Sequence, residues 1–300
     1  MREPRSLPSL TCTRRDLVLG ALALPLLHAL PAQARDVSEL ARLERRQGGR
    51  LGVVVLDTTG AMLLSHRADE RFALCSTFKV LLAGFVLARV DRGEEQLDRA
   101  LPIVEADLIL NSPVTHPLAG GSLSLEALCE AAVTTSDNTA ANLLLGATGG
   151  PAALTAFLRD LGDPVTQIDR VEPALNGVDL AAGDTRDTTS PAAMARTVGA
   201  LVHGEVLRPE SRAQLTGWLR AAVTGLSRLR AGLPAEWNPG DKTGTGMDGP
   251  TNDVAVAWPP GRAPLVVAAY YDRPGRTMQD NADVLAQVGH LVSEALRPAG

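Results

Sequence analysis

Leu51-Gly52-Val53-Val54-Val55-Leu56-Asp57-Thr58-Thr59-Gly60-Ala61-Met62-Leu63-Leu64-Ser65 is the stretch whose reading decides the fold. Two apolar runs, residues 51–56 and 61–65, flank four turn-favouring residues, which predicts a β-hairpin. The far end of the chain repeats the pattern: residues 241–247, 254–258 and 265–271 read as strands parted by Asp248-Gly249-Pro250 and Pro259-Pro260-Gly261. Between the two ends, from Thr77 to about Ala222, the signals are helical and no strand is expected. Ser124 precedes an apolar run over 125–133, Pro151 opens 152–161, and Ser190-Pro191 opens 192–203. Asp36 looks like the cap of a helix over 37–47, and a last helix is expected over 281–296. The expectation is an α/β (α+β) fold: a five-stranded antiparallel sheet built from both chain ends and flanked by helices, with an inserted all-α domain. The boundaries are 35–70 and 223–300 for the sheet domain and 71–222 for the helical one, with a site at their junction, where ligands favour binding.

Composition narrows the function. At 300 residues, 45% hydrophobic and 21% charged, the chain can bury an ample core. The formal charge is −5 with both signs interleaved, so nothing favours a nucleic-acid partner. The first 34 residues differ: Arg2, Arg5, Arg14 and Arg15 precede an apolar run over 17–30 that ends in Ala32-Gln33-Ala34. This is the pattern of a cleaved export signal, with a mature chain starting near Arg35 and a periplasmic or secreted destination. Thr13-Arg14-Arg15-Asp16-Leu17 is also similar to a twin-arginine signal, which leaves the export route open. The run is short for a membrane span, so the mature form is expected to carry no anchor; a monomer is expected. Cleavage removes four arginines and two acids and takes the charge from −5 to −7. Of three cysteines, Cys12 leaves with the signal, and Cys75 and Cys129 are expected as buried free thiols.

Lysine usage points at the chemistry. Of 29 basic residues only Lys79 and Lys242 are lysines; the rest are arginines. A lysine is retained against such a bias where a proton must be given up, which a guanidinium cannot do. Lys79 stands three residues after Ser76, on the same face of a predicted helix over 78–90 that is apolar nearly all round. Burial there disfavours the ammonium and makes the amine a candidate base for the serine hydroxyl, while the free N–H groups of a helix start can stabilise an oxyanion. The five histidines, His28, His66, His116, His203 and His290, fall outside every motif. There is no Gly-x-Ser-x-Gly elbow and no His-Glu-x-x-His pair, so no metal or other cofactor is expected.

Three further stretches stand out. Ser136-Asp137-Asn138 lies between two helices, where the bland reading is a capping turn. Lys242-Thr243-Gly244 starts the C-terminal strands, where a glycine permits close approach. Glu172-Pro173-Ala174-Leu175-Asn176 lies in a stretch without helix or strand signals, 163–189, and loops of that length are usually functional.

Ser76-Thr77-Phe78-Lys79, Ser136-Asp137-Asn138, Glu172 to Asn176 and Lys242-Thr243-Gly244, in this order, resemble the class A serine β-lactamases. The resemblance spans about residues 36–296 and agrees with that family's two-domain fold. It implies that Ser76 attacks the β-lactam carbonyl of penicillins and cephalosporins, with the N–H groups of Ser76 and Thr245 as oxyanion hole. Lys79 or Glu172 takes the serine proton, Ser136 relays one to the leaving nitrogen, and Asn138 holds the substrate's amide. Glu172, sharing a water with Asn176, then frees the enzyme. Lys242 as fixed positive charge, Thr243, Thr245 and Arg228 bind the substrate carboxylate, and an Arg170–Asp187 salt bridge pins the loop. Two departures are visible: the segment 177–185 is about two residues longer than the family's usual length, and Asn111 replaces the usual aromatic. Cys75 with Gly246 is similar to the extended-spectrum cephalosporin-hydrolysing branch, and carbapenem hydrolysis is not expected. Two alternatives stay open, a penicillin-binding DD-peptidase and a β-lactam sensor that remains acylated; neither needs Glu172.

Overall fold

The computed structural model describes residues 32–178 and 183–296. In chain order these form α1 (Ala32–Gln47), β1 (Arg50–Asp57), β2 (Met62–His66), β3 (Phe72–Ala73), α2 (Phe78–Asp91), β4 (Ala100–Pro102), β5 (Ser122–Ser124), α3 (Leu125–Thr134), α4 (Asn138–Ala147) and α5 (Gly150–Asp160). There follow β6 (Thr188–Thr189), α6 (Pro191–Val202), α7 (Pro209–Ala221), α8 (Leu229–Gly232), β7 (Gly240–Thr245), β8 (Pro250–Ala257), β9 (Leu265–Asp272) and α9 (Met278–Ala295).

The five expected strands form one antiparallel sheet in the order β2-β1-β9-β8-β7. The N-terminal hairpin joins the C-terminal meander through β1 and β9, where Val54 faces Ala268. Both faces of the sheet are covered, which is why its strands read as unbroken apolar runs rather than alternating ones. Leu51, Val53 and Val55 pack with Leu40 and Leu43 of α1 and with Val284, Leu285 and Val288 of α9. Val54 and Leu56, pointing the other way, join Val254, Val256 and Val266 in the cluster that holds α2, α3 and α6. The helices of 71–222 thus share a continuous apolar core with the inner face of the sheet. At the centre runs α2, with residues 78–88 all buried, each large apolar side chain contributing about 1.5–3 kcal/mol on burial.

Several caps fall where expected: Ser124 accepts from the Ala127 N–H, Asp137 from Ala140 and Ser190 from Ala193. Two expectations change. Residues 77–222 hold short strands after all, β4 pairing with β5, and β6 with β3, which lies just before this stretch; ladders of two or three residues leave no sequence period to read. Helix α1 begins at Ala32, so Asp36 lies inside it, because Ala32, Gln33 and Ala34 are strong helix formers that extend it backwards. The expected cleavage after Ala34 falls in this first turn, and the export signal up to residue 31 lies outside the described residues. So do residues 179–182 of the segment expected to be long. No single described helix is long and apolar enough to cross a membrane. Cys75 and Cys129 are buried free thiols, and burial pushes both thiols up.

Candidate active site

Four separate segments converge at the start of α2. Ser76 sits in a single 3-10 turn, Cys75–Thr77, just ahead of the helix. The turn is entered through Cys75 at φ +45°, a left-handed backbone that non-glycine residues rarely adopt. Its hydroxyl donates to Glu172 Oε1 at 3.1 Å. Glu172 therefore touches the serine directly.

Lys79, one turn further on, is fully buried. Its ammonium donates to the Ser136 carbonyl at 2.8 Å and to Asn138 Oδ1 at 2.6 Å, and lies 3.2 Å from Glu172 Oε1. Burial pulls its pKa below the ordinary lysine range, against the attraction of Glu172. Lys242 reaches in from β7 and donates to Ser136 Oγ at 3.0 Å. It is as buried as Lys79, and burial together with the nearby Lys79 charge pushes it well down. Ser136 Oγ accepts from Lys242 and, at 3.4 Å, from Lys79. With ammonium groups on its lone pairs, its own proton is directed into the cleft.

The Ser136-Asp137-Asn138 turn is both cap and site. Ser136 has φ +61°, and the Asp137 carboxylate accepts from the N–H groups of Val114, Thr115 and Ala140 at 2.8–2.9 Å. Asn138 Nδ2 donates to the Leu110 carbonyl at 2.9 Å, which leaves its second N–H for another acceptor. Asn111, where the resembled family carries an aromatic, lies at φ +63° beside this turn.

The loop bearing Glu172 is held at both ends of the glutamate. Asn142 Oδ1 accepts from the Glu172 N–H and Asn142 Nδ2 donates to the Glu172 carbonyl, both at 2.9 Å. Asn176 Nδ2 donates to Glu172 Oε2, while Asn176 Oδ1 is buried without a partner among the described residues. The Arg170–Asp187 ion pair is formed as expected, and Asp187 also accepts from the N–H groups of Asp169 and Arg170 at 2.8 and 3.0 Å.

On the opposite wall Arg228 is buried and donates to the carbonyls of Gly244 and Asn252 at 2.8 and 2.7 Å and to Thr245 Oγ1 at 2.7 Å. Thr243 donates to Thr224 Oγ1 at 2.7 Å. A cleft of about 520 Å³ opens between these walls, lined by Ser76, Ser136, Asn138, Asn176, Thr243 and Thr245 among others. No cluster among the described residues could hold a metal ion.

A sequence profile described as "Beta-lactamase enzyme family" matches residues 35–296. Beta-lactamase L2 of Stenotrophomonas maltophilia is 46% identical over 93% of this chain and 95% of its own length. Beta-lactamase CTX-M-8 of Citrobacter amalonaticus is 45% identical over 88% and 91%. An ancestral (GNCA) class A beta-lactamase of known structure is 58% identical, covers 87% of this chain and all of its own, and superposes with a TM-score of 0.84. This chain belongs to the class A beta-lactamases. Three of this beta-lactamase's site residues escaped the sequence reading: Asn142, Thr224 and Asn252. Asn142 left a trace, being a polar residue one turn beyond Asn138 and followed by the apolar run Leu143-Leu144-Leu145 of α4. The other two left none.

Proposed function

We propose that this beta-lactamase hydrolyses the β-lactam amide of penicillins and cephalosporins through an acyl-enzyme on Ser76, a reaction that gives antibiotic resistance. The observation that carries the reading is the Ser76 hydroxyl donating to the buried Glu172 carboxylate, with Lys79 3.2 Å from the same oxygen. Lys79 is surrounded by three acceptors, an arrangement suited to an ammonium, so Glu172 is the group placed to take the serine proton. Ser76 Oγ then bonds to the carbonyl carbon, and the N–H groups of Ser76 and Thr245 receive the oxyanion. As the ring C–N bond breaks, Ser136 gives its proton to the nitrogen and takes one from Lys79, which recovers the former serine proton from Glu172, so that Ser136, Lys79 and Glu172 all regain their starting states while Lys242 steadies the Ser136 oxygen.

Acylation removes the donor from Glu172 Oε1. Glu172, ionised again, can then take a proton from a water that Asn176 Oδ1 also holds; the hydroxide adds to the ester carbonyl, and the bond to Ser76 Oγ breaks as Glu172 returns that proton to the serine oxygen. This second half separates a hydrolase from an acylated sensor or a DD-peptidase. Arg228 polarises the Thr245 hydroxyl by donating to it, so Thr245 presents its own proton to the substrate carboxylate alongside Thr243 and Lys242. Asn138 offers its second N–H to the substrate's amide.

The family match begins at residue 35, in keeping with reading residues 1–34 as an export signal; on that reading the enzyme is periplasmic or secreted, and we take it to be a monomer. We read 71–222 as a helical domain inserted into the sheet domain, the cleft lying where they meet. Steady-state hydrolysis of benzylpenicillin by the mature chain tests the function. Turnover that vanishes in Ser76→Ala is expected; absence of wild-type turnover, or its survival in the variant, contradicts the reading.

A further inference from the structure

The nucleophile turn is a strained segment whose hold on the sheet is unusual. Leading into Ser76, the carbonyls of Ala73 and Leu74 both face one side chain of β8: Asn252 Nδ2 donates to Ala73 O at 2.8 Å and to Leu74 O at 3.4 Å. Two carbonyl acceptors fix which end of the amide carries the hydrogens. The side chain is 1% exposed, so solvent cannot replace either bond. On β7 the same turn lies so close that a Cβ at Gly244 would meet Leu74 O at 2.9 Å and the Cys75 Cβ at 3.1 Å. Thr77 Oγ1 donates to Leu74 O and pairs with the Tyr270 hydroxyl of β9 at 3.1 Å. The Asn252 main chain, meanwhile, accepts from Arg228, whose other bonds go to Gly244 and Thr245.

We infer that Asn252 is a positioning residue for the reaction proposed above, its amide fixing the nucleophile turn at a set distance from β7 so that the N–H groups of Ser76 and Thr245 point at one oxyanion. The inference rests on that reading of the site. The two donors come from different elements, one on a turn strained at Cys75 and one on a strand. Their separation is not set by hydrogen bonds between them but by what ties both to β8. Asn252 does this with its two ends: the side chain holds the turn, and the backbone, through Arg228, holds the end of β7. Loss of the amide frees the turn to relax from its left-handed residue, while Lys79, Glu172 and the substrate-binding residues keep their own partners. The cost therefore falls on the bond-forming step and not on substrate binding, and a displacement on the order of 1 Å is enough for about a 100-fold effect.

The test uses the mature enzyme with Asn252→Ala, Asn252→Ser and Asn252→Asp, each checked for native near-ultraviolet dichroism and normalised by the fraction that a β-lactam can acylate. Stopped-flow measurement separates the acylation rate constant from the preceding dissociation constant for benzylpenicillin. Phenylboronic acid, whose tetrahedral Ser76 adduct places a boron-bound oxygen between the two N–H groups and which lacks a carboxylate, reports on the oxyanion hole alone. Acylation and phenylboronic acid affinity should fall together by about 10- to 100-fold with the dissociation constant changed less than about twofold. Unchanged acylation, or a loss confined to the dissociation constant, overturns the inference, as does failure of all three variants to fold, which would assign Asn252 to stability alone. A wild-type chain that is never acylated sinks the parent reading instead.

Discussion

Replacing Glu172 by glutamine separates its chemistry from its structural role. The carboxylate has one oxygen on Ser76 and Lys79 and the other on Asn176, so all three neighbours donate to it. Glutamine supplies one acceptor where two were used, and its amide cannot take a proton from serine or water at neutral pH. The main chain stays clamped through the two 2.9 Å bonds to Asn142, which keeps the loop in place. One unsatisfied buried donor costs about 1–3 kcal/mol, a modest fall in melting temperature of a few degrees for a chain of this size. Loss of the general base costs roughly 10²–10⁴ in rate, or about 2.7–5.4 kcal/mol of barrier. Glu172→Gln should therefore melt cooperatively, acylate more slowly, and carry a benzylpenicillin adduct whose decay is slower by that factor, followed by quenching and intact-mass measurement. Turnover within about tenfold of wild type would refute the assignment.

Three other changes probe the supports. Asp187→Ala removes the partner of Arg170 and strands two loop N–H groups; because Arg170 is partly exposed, roughly 2–4 kcal/mol of stability should be lost in urea unfolding, with slower deacylation, and unchanged deacylation would mean that the clamp does not position Glu172. Arg228→Ala should raise KM for benzylpenicillin well above any fall in kcat, since it orients the Thr245 hydroxyl toward the substrate; equal KM values would count against that role. Burial holds Lys242 well below the ordinary lysine range, so the folded chain bears the cost of charging it at low pH and sheds that cost as pH rises toward the unfolded lysine value. The melting-temperature gain of Lys242→Met over wild type should then be largest near about pH 6 and shrink toward about pH 10; a gain that grows with pH would show that the lysine is not depressed.

The strands were legible because burial on both faces wrote them as unbroken apolar runs, and several helices because Ser124, Ser190, Pro151 and Pro191 mark their starts. The site was legible wherever residue type was itself the chemistry: two lysines in an arginine-rich chain, a serine one turn before one of them, and a glutamate on a long loop. What remained hidden depends on contacts between distant segments. Asn252 meets Ala73 only because β8 passes beneath the nucleophile turn. Nothing in the strand bearing Lys242 reveals that Ser136 and Lys79 close over it. Backbone strain is equally invisible: of six described non-glycine residues with positive φ, Cys75, Asn111, Ser136 and Asp187 all lie at or beside the site. Such strain costs about 1–3 kcal/mol per residue and persists only where surrounding contacts enforce it.

The central claim is that Ser76 is acylated and then released by Glu172. Mixing the mature chain with benzylpenicillin, quenching in acid at successive times and weighing the intact protein tests both halves at once. The account predicts one adduct, mapped to the peptide containing Ser76, that appears and then disappears as penicilloate accumulates. An adduct that persists, one on another residue, or product formed with no adduct on Ser76 at any quench time in wild type and Glu172→Gln alike would contradict it.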